Sequence, residues 1–125
     1  MIFGIGTDIV EVERIKKISS VDKFAKKILS QNELNIFNEL SKDKKTFFLS
    51  KQFAGKEAVS KALGTGVGKE VSMKNIEILR DNKGKPIFNA IDELETYMIN
   101  LGITKTHVSL SDESNYAIAM VVLEK

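Results

Sequence analysis

KKTFFLSKQFAGKEAVSKALG, residues 44–64, decides the fold. Its spacing predicts one long helix from about Lys44 to Leu63, with Phe48, Ala54, Ala58 and Ala62 among the buried positions. Gly64 supplies the C-terminal stop and Asp43 is the expected N-cap. The small residues Ala54, Gly55, Ala58 and Ala62 let another backbone or a ligand come close to this helix. Gly55 is unusual there, because glycine inside a helix costs roughly 0.5–1 kcal/mol relative to alanine. Local space or ligand approach must offset that cost.

Upstream, MIFGIGTDIV (1–10) alternates like a strand, with Phe3, Ile5 and Ile9 on one face and Gly4, Gly6 and Asp8 on the other. A carboxylate beside two glycines leaves room for a ligand against the backbone. It also fits a capping Asp before the next helix. EVERIKKI (11–18) follows as a helix with Val12, Ile15 and Ile18 inward, and DKFAKKIL (22–29) as a second helix. SQNE (30–33) is a capping box opening a helix through Leu34, Phe37 and Leu40. Downstream, KNIEIL and KPIFNA read as strands joined through RDNKG, and IDELETYMINLG returns to helical spacing. THVSLS, a turn through DESN, and YAIAMVVLE close the chain as a second hairpin. Helices and strands mix without repeats, so the fold class is α+β: a single domain over 1–125 with a mainly antiparallel sheet packed on the long helix.

With no Cys, no Trp and one His, the chain excludes thiolate chemistry, disulfides and Cys-based zinc sites. Carboxylates, lysines, hydroxyls or a borrowed metal must carry any catalysis. The longest apolar block, AIAMVVL (117–123), is too short to cross a bilayer as a helix, and no basic stretch leads into a long apolar run at the N-terminus. A cytoplasmic location without membrane contact is the expectation. Residues 14–61 hold 12 Lys or Arg against 5 Asp or Glu, whereas the rest holds 7 against 12. That basic stretch points to an acidic partner or a polyphosphate ligand, although lysines also simply solvate helices.

Glu57 and Lys61 stand one helical turn apart, and as an exposed pair would add only about 0.3–0.5 kcal/mol. GTGVGKE (64–70) is rich in glycine but follows a helix and lacks Ser or Thr after Lys69, so it matches neither nucleotide-binding fingerprint. Asp8 and Glu57 can each give one carboxylate to Mg²⁺, which takes few protein ligands and completes its shell with water and substrate phosphates. Lys61 would then face the same phosphates.

GIGTDIVEVERI, FAGKEAVSKALGTG and HVSLSDESNYAIAMVV, in this order, resemble the bacterial holo-acyl-carrier-protein synthases, which are 4′-phosphopantetheinyl transferases. The resemblance covers nearly the whole chain, including a turn that here reads NKGKP. It implies the phosphopantetheinyl transferase fold and a Mg²⁺-dependent transfer of 4′-phosphopantetheine from coenzyme A to a serine of apo acyl carrier protein. Adenosine 3′,5′-bisphosphate is released, and the activity supports fatty acid biosynthesis. It further implies Asp8 and Glu57 as metal ligands and Glu57 and Lys61 as catalytic residues. Lys61, Gly64, Thr65 and Ser111 are implied to contact coenzyme A. A homotrimer with sites at subunit boundaries is implied too, and no nucleic acid partner. One departure is Asp112, which stands where many members carry His, so that histidine's role does not transfer. His107 shares a strand face with Ser109 and Ser111 and reads as a structural histidine bonded to a neighbouring strand. The rival from another class is a noncatalytic basic module binding acidic protein or RNA. It leaves Asp8 and Glu57 without a joint role, and Phe47 and Phe48 suit a core better than a base-stacking platform.

Overall fold

A computed structural model describes all 125 residues. In chain order the elements are β1 (Ile2–Glu11), α1 (Val12–Lys16), α2 (Val21–Ile28), α3 (Gln31–Asn38), α4 (Lys42–Leu63), β2 (Ile76–Arg80), β3 (Pro86–Ala90), α5 (Glu93–Asn100), β4 (Lys105–Asp112) and β5 (Tyr116–Glu124), with a 3₁₀ turn at Met73–Asn75. The expected α+β class holds. Helix α4 lies across a three-stranded antiparallel sheet ordered β1-β5-β4, and β2 and β3 form a separate antiparallel hairpin. No helix is long and apolar enough to cross a membrane.

The end of α4 is set as expected. Gly64 takes the left-handed conformation (φ 80°), and its N–H donates to the carbonyls of Ser60 and Lys61. Its start differs. Ser41, not Asp43, is the N-cap, and its hydroxyl makes no capping bond. Asp43 sits in the first turn, where a carboxylate still interacts favourably with the positive end of the helix dipole. The capping box forms in full: Ser30 Oγ accepts from the Glu33 N–H, and the Ser30 N–H donates to Glu33 Oε1 at 2.8 Å.

The largest departure concerns the glycines of β1. A Cβ on Gly4 would lie 2.0 Å from the Ala62 carbonyl oxygen, and one on Gly6 1.9 Å from that of Ala58. The room beside these glycines is filled by α4, not by a ligand. Ala117, Ala119, Val121 and Leu123 of β5, all fully buried, complete the sheet face that receives the helix. Because this face takes glycine and alanine, the larger residues Ile5, Ile9, Ile118 and Met120 fall on the opposite face, where they are exposed. Gly55 is explained by packing as well. A Cβ there would stand 2.4 Å from Ile78 Cδ1 and 3.3 Å from Leu110 Cδ2, so the glycine lets β2 and β4 close on the helix.

Candidate active site

Asp8 shares the inner sheet face with Gly6 and Val10, beyond the close contact of β1 with α4. Lys61, in the last turn of α4, turns toward the strand: its Nζ lies 3.0 Å from Asp8 Oδ1 and donates to the Thr7 carbonyl at 2.9 Å. The ion pair of Lys61 is therefore with Asp8 and not with Glu57 one turn away, because the flanking strand offers two acceptors that a solvated helix would not. Glu57 keeps its carboxylate free. Burial holds its carboxyl above the ordinary carboxylate range, the nearby Asp8 charge raises it further, and Lys61 opposes both.

Two carboxylates on different elements thus bear on one place, with a single ammonium beside them. No group of three or more His, Cys, Asp or Glu side chains forms a ligand set anywhere in the chain, this site included. This donor set fits Mg²⁺, which accepts two carboxylates and fills its remaining positions with water and phosphate oxygens. The mutual repulsion of Asp8 and Glu57 is what a divalent cation would relieve. Beside them opens a cleft of about 420 Å³ whose walls include Ile18, Phe24, Phe53 and Arg14. Phe24 and Phe53 meet edge-on, with ring centroids 5.4 Å apart. The cleft combines apolar walls with the charged Asp8, Arg14 and Glu57, a form suited to a flexible organic arm carrying a phosphate.

Gly64 and Thr65, three and four residues beyond Lys61, are exposed, with open space around Gly64. Ser111 is not brought to this place: it pairs with Ile118 on the outer sheet face, opposite Asp8. Asp112 faces inward and makes a 3.7 Å ion pair with Lys51 of α4. His107 Nε2 lies 2.6 Å from Glu124 Oε1 on the adjacent strand, the structural role expected of it. That bond holds the Glu124 carboxyl below its ordinary range.

Sequence reading missed one feature. Lys56 is fully buried, 2.7 Å from Glu33 Oε1, and also donates to the carbonyls of Met73 and Ile76. Glu33 further accepts from the Gln52 amide and from the Ile78 N–H, so it serves both as a capping residue and as the hub of a buried cluster. The clue was present: Leu49, Gln52, Lys56, Val59 and Leu63 form an i, i+3, i+7 stripe, and all are buried.

Residues 4–121 match the family model described as the 4′-phosphopantetheinyl transferase superfamily. A holo-[acyl-carrier-protein] synthase of Shewanella denitrificans is 46% identical over 125 residues, covering 98% of each chain. Among solved structures, the holo-[acyl-carrier-protein] synthase of Neisseria meningitidis superposes with a TM-score of 0.91 at 42% identity, covering 100% of both chains. The Bacillus anthracis enzyme, solved in complex with CoA (3′,5′-ADP), gives 0.84 at 44% identity, covering 98% of this chain and 96% of that one.

Proposed function

The chain belongs to the 4′-phosphopantetheinyl transferase superfamily, and from that premise we propose that it transfers 4′-phosphopantetheine from coenzyme A to a serine of apo acyl carrier protein. The observation that carries the assignment of residues is that Asp8 and Glu57 line one cleft, with Lys61 ion-paired to Asp8. In the reaction the serine oxygen bonds to the phosphorus bearing pantetheine. The bond from that phosphorus to the bridging oxygen breaks, and adenosine 3′,5′-bisphosphate leaves with the electron pair.

Asp8 and Glu57 would hold Mg²⁺, whose contribution when bound is to neutralise pyrophosphate charge. Lys61 adds positive charge at the same phosphates while its bonds to Asp8 and Thr7 fix its direction. A water held by the Glu57 carboxylate would receive the serine proton. No protein nucleophile is required, since phosphoryl-type transfer depends on positioning and charge neutralisation. Gly64 and Thr65 line the approach of the phosphates from the helix end. Ser111 contacts coenzyme A from a neighbouring subunit, because its own face turns away from Asp8. The exposed Ile5, Ile9, Ile118 and Met120 on that face support self-association, and a homotrimer with sites at its subunit boundaries is the assembly proposed. A noncatalytic basic module is not favoured, since it gives the paired carboxylates no task.

Incubation with coenzyme A, Mg²⁺ and apo carrier protein, followed by mass spectrometry of the carrier, tests the reading. A carrier heavier by one phosphopantetheine supports it. Loss of coenzyme A without a heavier carrier would identify a phosphohydrolase instead.

Lys61→Ala is expected to lower kcat by about 10²-fold with a smaller rise in the KM for coenzyme A, because a phosphate-facing cation matters most where charge shifts. An unchanged kcat with only a raised KM would reduce Lys61 to ordinary binding.

Arg14, Lys17, Lys23 and Lys27 are all exposed on α1 and α2 and at the turn that follows α1, and Arg14 borders the cleft. Acyl carrier proteins are strongly acidic, and charges at the rim of an interface mainly set association rate and salt dependence. Reversing Lys17 and Lys23, which lie outside the cleft, to Glu should raise the KM for carrier protein about 10-fold or more, flatten its dependence on ionic strength, and leave coenzyme A affinity nearly unchanged. Equal damage to both substrates would place these residues at the nucleotide.

A further inference from the structure

Where β1 crosses α4, Gly4 and Gly6 lie against the Ala62 and Ala58 carbonyls, and a glycine offers no side chain to key the rotation of the helix about its own axis. Two of the helix's hydroxyls, Ser50 and Ser60, bond back to their own helix. The ion pairs of Lys51 and Lys61 involve partly exposed side chains. Every buried side-chain hydrogen bond from α4 to another element therefore runs through Gln52 or Lys56. Gln52 donates to the Ile78 carbonyl and to Glu33, and Lys56 to Glu33, Met73 and Ile76.

Glu57 is the next residue after Lys56. A side chain at the helix surface stands about 5–6 Å from the axis, so a rotation of about 10° displaces it by about 1 Å. Misplacement on that scale costs on the order of 10²-fold in rate. We infer that Lys56 is a positioning residue of the transfer reaction: its bonds to Glu33 and to the carbonyls of Met73 and Ile76 set the rotation of α4 and so aim the Glu57 carboxylate at the place it shares with Asp8. The inference rests on the phosphopantetheine-transfer reading. It also accounts for a fully buried ammonium, whose desolvation works against its charge and is only partly countered by Glu33.

The test compares Lys56→Met with Leu94→Ala, a core truncation on α5 that touches none of these bonds and serves as a control for lost stability. Both are assayed well below their melting temperatures. Lys56→Met should lower kcat about 10- to 10²-fold with the KM values for coenzyme A and carrier within about twofold of the wild type. The rise in melting temperature on adding Mg²⁺ alone should shrink in the same variant. Leu94→Ala should keep the wild-type kcat and the full Mg²⁺ response. Should Lys56→Met not fold, Gln52→Met removes the second tie without removing a charged side chain and should lower kcat several-fold at unchanged KM. A folded Lys56→Met, or in its place Gln52→Met, with wild-type kcat overturns the inference, as does an equal loss in Leu94→Ala. A wild-type chain that transfers nothing overturns the reading beneath it, and the inference with it.

Discussion

Asp8→Asn and Glu57→Gln are each expected to reduce transfer by about 10³-fold or more while leaving the fold intact. Both side chains bear on one site from different elements, so neither can replace the other. A fixed charge lost where phosphate charge shifts costs on the order of 10²–10³-fold by itself, and loss of a metal ligand adds to it. The fold should survive because neither carboxylate is fully buried or bonded into the core. Glu57→Gln should even stabilise the metal-free chain slightly. The folded state holds the Glu57 carboxyl above its ordinary pKa, so the native protein binds the proton more tightly than the unfolded chain does. Wild-type stability therefore falls, relative to the Gln variant, as pH rises from the ordinary carboxylate range through the raised value, and the difference persists at neutral pH. Thermal melts supply a readout independent of activity. Mg²⁺ should raise the melting temperature of the wild type by a few degrees at saturating concentration and leave both variants unmoved. Full turnover by either variant at low Mg²⁺ would remove the carboxylate pair from the mechanism.

Gly6→Ala should be the most damaging single methyl in the protein. Its Cβ would stand 1.9 Å from the Ala58 carbonyl oxygen and 2.8 Å from the Ala62 nitrogen. Both obstacles are backbone of α4, which cannot rotate aside as a side chain can. Strand and helix must part by about 1 Å, loosening the alanine interface along its length, at a cost of about 3 kcal/mol or more. For a domain of this size that lowers the melting temperature by about 10 °C or more. Gly68→Ala is the control, since a Cβ there meets nothing within 4 Å and its φ is not positive. It should change stability by less than about 0.5 kcal/mol. Equal melting temperatures for the two variants would mean that β1 and α4 do not touch at Gly6. Transfer activity should fall with the fold in Gly6→Ala, because the same contact sets the distance from Asp8 to Glu57.

Local chemistry made much of this legible in advance. The Ser30–Glu33 capping box, the Gly64 stop and the two hairpins each depend on residues within a few positions of one another, and each forms as its residues require. Asp8, Glu57 and Lys61 were joined as a set by the family resemblance, whose motifs each lie within a short stretch of chain, and not by their own chemistry alone. What went astray depended on distant partners. Gly4 and Gly6 looked like room for a ligand, yet their space belongs to Ala58 and Ala62, more than fifty residues away. Lys61 looked like the partner of Glu57 and found Asp8.

By itself, then, the sequence determined which stretches form helices and strands, that the chain is α+β, and which side chains are chemically equipped to handle phosphate. Those properties follow from backbone propensity, capping and side-chain pKa, which act over one or two turns. Only the tertiary structure decided which sheet face receives α4, that Lys56 is buried while Lys61 reaches the strand, and that Ser111 turns away from Asp8. Face selection follows from the close approach of two backbones, which admits glycine and alanine and turns Ile5 and Ile9 outward against their hydrophobicity. Burial of Lys56 follows from Glu33 and two carbonyls meeting its ammonium from other elements. Partners that lie far apart along the chain become neighbours only when it folds, and hydrophobic periodicity carries no record of them.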